Sequence, residues 1–229
     1  MKPSLKLTSE ERRAAIIQAV RRAFAEKGFH GTTTRELAKE AGVSEALLFK
    51  HFPNKEALYS AMMQASCQEK NPEMYERLRA LEPSTSTLVL LVHLMVTHLV
   101  GHKPDGYEDS LQTRLILRSL AEDGDFARLF LQRIVGPILA KLEDSIQAAV
   151  AEGEALEGPG QPRLRARFAN ALAAMIRFHL TPEEPAMDYG VPLEKLVEQV
   201  VWFTLRGIGL KDEAIKRYYN PKTLALFAG

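Results

Sequence analysis

Apolar residues recur along almost the whole chain at intervals of three and four, the period of a helix with one buried face, and they nowhere alternate as the faces of a strand do. The pattern therefore predicts an all-α protein. The first helix is predicted over Ser9–Lys27, with Thr8 or Ser9 as its cap. Ala15, Ile16, Ala19, Val20, Ala23 and Phe24 form its buried stripe, and Gly28 stops it. Two short helices follow within 32–52. Leu37, Ala38, Ala41, Val43, Leu47, Leu48 and Phe52 are their apolar positions, Gly42 marks a tight turn between them, and Thr33 and Ser44 are their caps. A fourth helix begins after Pro53, capped by Asn54, with Ala57, Leu58, Ala61, Met62 and Ala65 facing inward.

Beyond Pro72 the periodicity predicts further helices over 74–81, 84–101, 108–122, 125–153, 163–180 and 193–219. Connectors at 102–107, 157–162 and 181–192, rich in Gly, Pro and charge, separate the later ones. A helix, a short turn containing Gly and a second helix make a helix-turn-helix, whose second helix can lie in the major groove of DNA. The chain thus divides at the sequence level into a helix-turn-helix head at 1–56, with its motif at 33–52, and a helical module at 57–229.

Composition narrows the class. With 229 residues, 46% of them hydrophobic, the chain can build a substantial core. The formal net charge is only +1, which excludes a polycation that coats nucleic acid or membrane indiscriminately. The charge is unevenly spread. Residues 1–56 hold eleven basic and seven acidic residues, a net of +4, leaving nineteen basic against twenty-two acidic residues in 57–229, a net of −3. A basic head on a neutral or acidic module fits DNA contact at one end. The single Cys67 excludes an internal disulfide and a cysteine-based zinc finger. The N-terminus lacks the apolar run of a signal peptide, and the apolar stretch 88–100, interrupted by His93, Thr97 and His98, is too short to span a bilayer. The expectation is a cytoplasmic protein with no membrane partner.

The residues of the head also carry a family resemblance. Ala25-Glu26-Lys27-Gly28-Phe29, Thr32-Thr33, Leu37-Ala38, Ala41-Gly42-Val43-Ser44, Leu48-Phe49-Lys50-His51-Phe52 and Asn54-Lys55-Glu56-Ala57-Leu58 resemble, at matching spacings over about 9–58, the N-terminal domain of TetR family transcriptional regulators. In such a head Thr33 and the first amides of the second helix offer a hydroxyl and a positive helix end to a phosphate, and Arg35 reaches a phosphate or a base. Ser44 caps the third helix. Glu45, Ala46 and Leu47 occupy its first turn at the groove floor, where Glu45 is able to accept from cytosine and Ala46 or Leu47 to touch a thymine methyl. Phe49, Lys50 and His51 flank the groove, and Lys55 adds charge near the backbone. Each has a plainer reading: Thr33 and Ser44 as caps only, Phe49 as core, Glu45 as solvated or internally paired. Phe49 stands where the family often has tyrosine, so a phenolic hydroxyl for phosphate is missing.

For the C-terminal module the resemblance implies small-molecule binding and dimerisation, supported by helical pattern without any motif. Pairing is also expected on physical grounds, because one short recognition helix reads few base pairs, whereas two-fold pairing reads a pseudo-palindromic double-stranded operator with half-sites about 34–36 Å apart. The interface candidates are 163–180, with Ala166, Ala169 and Ala173 beside Phe168, Leu172 and Ile176, and 193–210, apolar over more than one stripe. An ordinary monomer core is the alternative. Candidate lining for a hydrophobic effector is His93, Met95, His98, Gln112, Leu115, Phe130, Met175, Phe178, His179 and Trp202, each of which is also an ordinary core or surface residue. His98 and His102 share an i, i+4 spacing, but Gly101 lies between them and no acidic partner is set, so no metal and no cofactor is expected. The chain has no G-x-S-x-G, no phosphate-cradling glycine loop and no H-E-x-x-H, so the expectation is a non-enzymatic repressor released from DNA by a ligand. An all-α adaptor or ligand-binding protein without a DNA role, or an enzyme, is the alternative.

Overall fold

Thr8 opens the first helix with a reciprocal cap: its hydroxyl accepts from the Glu11 amide at 3.2 Å, and the Glu11 carboxylate accepts from the Thr8 amide at 2.8 Å. The computed structural model describes residues 7–67, 72–101, 107–158 and 160–224. They form two compact units, one from the described residues within 1–68 and 106–133, the other from those within 69–105 and 134–229. Among the described residues there is no strand, only an isolated antiparallel bridge between Ala155 and Leu210.

The first unit holds α1 Ser9–Lys27, α2 Thr34–Glu40, α3 Glu45–His51, α4 Lys55–Ser66, and, after the connector, α7 Tyr107–Ala121 and α8 Asp125–Phe130. Its core is Ile16, Val20 and Phe24 from α1, Leu37 from α2, Leu48 and Phe52 from α3 and its end, Leu58 and Met62 from α4, and Leu111, Leu115 and Phe126 from α7 and α8. Of the apolar positions read from the motif, Leu37, Ala38, Leu48 and Phe52 are buried, while Ala41, Val43 and Leu47 are only half-buried. The head is thus part of a larger unit than the boundary at residue 56 implied, because α7 lies against α1 and supplies part of its core.

The second unit contains α5 Pro72–Ala80, α6 Thr85–Val96, α9 Gly136–Ala151, α10 Pro162–Leu180, α11 Leu193–Ile208, α12 Asp212–Tyr218 and α13 Pro221–Leu224. Helix α6 is buried on nearly every side through Leu88, Val89, Leu91, Val92 and Val96, as an almost uniformly apolar helix requires. It meets Leu142 and Ile146 of α9, Ala173 of α10 and Val201 and Leu205 of α11 in one cluster.

Three of the long helices read from the pattern are interrupted, the stretch 84–101 by passing from α6 into a π turn at Thr97–Gly101. The stretch 125–153 opens into a π turn at Leu131–Val135 before α9, where Pro137 lacks the amide to continue the preceding ladder. The stretch 193–219 ends α11 at Gly209, whose φ of 101° only glycine adopts without strain, and restarts as α12. Buried Arg165 ties this break down. Its guanidinium donates to the carbonyls of Leu156 at 2.8 Å, Ile208 at 3.1 Å and Gly158 at 3.1 Å, and to that of Glu157.

Candidate nucleic-acid interface

The turn between α2 and α3 is built by Gly42, whose φ of 64° places it in the left-handed region with open space around it. Below the turn Leu37, Leu48 and Phe52 anchor both helices in the core. That anchoring turns a contiguous outer face to solvent: Arg35 on α2 and Ser44, Glu45, Ala46, Phe49 and Lys50 at and along α3 are exposed, with Leu47 and His51 half-buried at its margin. Phe49 is 43% exposed, so its ring is surface rather than core, and an exposed aromatic ring on this face offers apolar area to sugars and methyl groups.

The caps are formed as the sequence indicated. The Thr33 hydroxyl accepts from the Glu36 amide at 3.3 Å and the Glu36 carboxylate accepts from the Thr33 amide at 3.0 Å, the reciprocal arrangement that Thr-x-x-Glu encodes. The same carboxylate accepts from the Thr33 hydroxyl at 3.1 Å, so this hydroxyl is engaged within the head. Lys27 approaches Glu36 at 2.9 Å, and this hydrogen bond, together with the Thr33 bonds, holds the Glu36 carboxyl down at about 2. On α3 the Ser44 hydroxyl accepts from the Leu47 amide at 3.2 Å.

One expected contact is placed differently, and for another the internally paired alternative holds. The Lys55 ammonium was expected near the DNA backbone; it donates instead to the carbonyls of Phe29 at 2.8 Å and Thr32 at 3.0 Å, with the Phe29 ring centroid 4.3 Å away. Both carbonyls lie in the turn between α1 and α2, so Lys55 is a strut of the head. Glu45, considered as a cytosine reader, accepts from the Thr34 hydroxyl at 3.1 Å across the motif, which takes up acceptor capacity and draws the carboxylate toward α2. Lys50 and Arg35 are the exposed cations that remain on the face.

Arg13 escaped the sequence reading. Its guanidinium donates to the His51 carbonyl at 2.6 Å and stacks over Phe52, tying the end of α3 to α1. No local pattern marks such a pair; only the packing of α1 against the motif reveals it.

The residues considered for effector binding fall in both units. In the first, Gln112 donates to the Ser66 carbonyl at 3.3 Å, Leu115 is core, and Phe130 lies half-buried beside Phe126. In the second, His93 is buried with its ring 5.9 Å from that of Tyr219, and neither its nitrogens nor the Tyr219 hydroxyl has a hydrogen-bond partner among the described residues. Burial pushes the His93 pKa down and that of Tyr219 up to about 12. Met95, Phe178 and Trp202 are half-buried, while His98 and Met175 are exposed. His179 Nδ1 pairs with the Tyr189 hydroxyl at 2.9 Å, holding the 181–192 connector to α10. His102 lies outside the described residues. None of the described helices is long and apolar enough to cross a membrane.

Comparison with known proteins agrees with this geometry. Residues 16–62, spanning most of α1 through α4, match the bacterial regulatory proteins, tetR family. The HTH-type transcriptional repressor Rv1474c of Mycobacterium tuberculosis is 32% identical over 123 residues, 53% of this chain and 58% of that protein, so the likeness spans little more than half of the relative. Among solved structures, AibR in complex with isovaleryl coenzyme A and operator DNA superposes with a TM-score of 0.59 at 19% identity, covering 84% of this chain and 97% of AibR. FadR from Bacillus subtilis in complex with stearoyl-CoA gives 0.58 at 18% identity, covering 85% and 98%. These likenesses extend the shared fold through both units. Through the helix-turn-helix head at 16–62, the chain is similar to the tetR family of bacterial regulatory proteins.

Proposed function

We propose that this protein is a sequence-specific, DNA-binding transcriptional repressor, acting in the cytoplasm as a homodimer and released from its operator by a small hydrophobic molecule. The observation that carries the reading is the exposed face of α3, where Ala46, Phe49 and Lys50 stand outward over a buried Leu48 and Phe52, with Arg35 of α2 beside them. Lys50 and Arg35 supply charge for phosphates, while Ala46, Leu47 and Phe49 supply apolar contact for thymine methyls and sugars. Glu45, held by Thr34, acts mainly by ordering the two helices, and Thr33, Ser44 and His51 shape their ends rather than read bases.

Dimerisation through α10 and α11 is supported by large apolar side chains left in solvent. Leu164, Phe168 and Met175 on α10 are 40%, 67% and 52% exposed, and Phe203 on α11 is 68% exposed. Phe168 and Met175 share one face two turns apart. Ligand control is supported by the acyl-CoA complexes of AibR and FadR, which share the fold. The direct test is binding of the purified protein to DNA upstream of its own gene against excess unrelated DNA at moderate salt. Retained preference supports the reading, and equal binding to both DNAs sinks it in favour of a helical adaptor.

A further inference from the structure

We propose that Glu122, at the end of α7, is a positioning residue for DNA reading, acting on the start of α2 through Phe29 and Lys55. The inference rests on the DNA-binding role above and adds the route by which a helix outside the head governs it. Every contact lies within the first unit.

The route begins where α1 stops. The Glu122 carboxylate accepts from the Phe29 amide at 3.3 Å and from Arg118 at 2.7 Å, and Arg118 also donates to the Lys27 carbonyl at 3.0 Å. Arg118 thus satisfies a carbonyl in the last turn of α1, where a cation is favoured, and Glu122 takes the first amide beyond Gly28. The glycine is required on two counts: its φ is 73°, and a Cβ there would overlap the Glu122 carboxylate. From Phe29 the chain of contacts runs onward, since its carbonyl and that of Thr32 both receive the Lys55 ammonium. Thr32 is buried, its hydroxyl donating to the Phe29 carbonyl at 3.0 Å, and the next residue, Thr33, caps α2. Glu122 thereby sets one end of the 28–32 turn, whose other end leads into the motif, and Lys55 clamps the turn by bridging the carbonyls of Phe29 and Thr32. The side chain of Glu122 is only 17% exposed, and its bond to the Phe29 amide is partly buried, while Arg118 remains 44% exposed. A shift of α7 along α1 would withdraw the acceptor from Phe29 and loosen the placement of α2 without removing any side chain from the face proposed to touch DNA.

A double-mutant cycle on Glu122→Ala and Lys55→Met, measured as operator affinity of the full-length protein, tests this. Each variant is expected to weaken operator binding by about tenfold, within the range typical of coupling between sites, and the double variant to fall little further. The salt dependence should keep its slope in all three, because no phosphate contact is lost. Glu122→Gln, which keeps an acceptor for the Phe29 amide, should stay within about twofold of the parent. Additive losses, a Lys55→Met slope lower by about one, or unchanged affinity in Glu122→Ala would overturn the role. Hydrogen exchange at the Phe29 amide, faster in Glu122→Ala at unchanged global stability, separates a loosened turn from an unfolded protein. Absence of operator preference in the parent protein would instead overturn the DNA-binding reading itself.

Discussion

The Arg13 guanidinium on α1 donates to the His51 carbonyl in the last turn of α3 at 2.6 Å and lies 4.1 Å from the centroid of the neighbouring Phe52 ring. Residues 38 positions apart thereby fix the far end of the exposed helix α3. Arg13→Ala should lower stability by on the order of 1 kcal/mol, the usual worth of an exposed charge-assisted bond, and should weaken operator binding at unchanged salt slope. Arg13→Lys should recover only part of both, because an ammonium lacks the flat fork that serves carbonyl and ring together. Thermal denaturation and a binding titration read the two effects, and a fully restored Lys variant would show that charge alone matters.

Arg165 is the corresponding tie in the second unit. Burying a guanidinium is tolerable here because four backbone carbonyls receive it, and removing it strands them. Arg165→Met should therefore cost roughly 3 kcal/mol in denaturant unfolding despite the similar size of the new side chain. Arg165→Lys should rescue little, since a single ammonium cannot span the carbonyls of Leu156 and Ile208 at once.

How far the sequence reveals all this depends on the range of the interaction. The helix-turn-helix was legible because its signals are local: Thr33 and Ser44 with partners three residues on, Gly42 at the turn, and apolar residues at helical spacing. The break at Gly209 was also written locally, yet the apolar period continues through it, and only the Ala155–Leu210 bridge shows why the chain must bend there. The role of Lys55 was not legible, and for Glu45 the internally paired alternative was legible without its partner, Thr34. Whether a surface lysine meets a phosphate or a carbonyl depends on the path of the 28–32 turn, which no spacing encodes. The effector residues were the least legible, because a core histidine such as His93 and a surface methionine such as Met175 have the same periodic signature.

With Lys55 engaged, Lys50 becomes the principal cation of α3. Lys50→Ala should weaken binding about equally on the operator and on unrelated DNA, and lower the slope of log affinity against log salt by about one. Filter binding or fluorescence anisotropy across a salt series measures both. A loss confined to the operator would move Lys50 from phosphate contact to base reading.

His93 makes the second unit sensitive to acid. Burial lowers its folded pKa, whereas the unfolded chain takes up the proton near pH 6.5. The unfolded state then binds more protons between the two values, so the His93 contribution is complete above about pH 6.5 and is lost as pH falls through the folded pKa. Denaturant unfolding should thus show the parent losing stability relative to His93→Phe as pH drops from about 7.5 to 5. A constant difference between them over that range would show that His93 does not titrate with folding.

Phe168 tests the dimer. A side chain 67% exposed on α10, with Phe203 of α11 68% exposed, leaves apolar area in water that a two-fold partner would cover. In an isologous contact each residue is counted twice, and burying one such side chain is worth about 1.5–3 kcal/mol, so two copies of Phe168 bear on dimer affinity together. Phe168→Glu replaces both with carboxylates facing the same interface. The variant should sediment as a monomer at concentrations where the parent is dimeric, with unchanged helical circular dichroism, because the position lies outside the core of its own chain. Operator affinity should fall steeply as well, since a lone head reads only one half-site. A Phe168→Glu protein that stays dimeric would place the subunit interface on another surface.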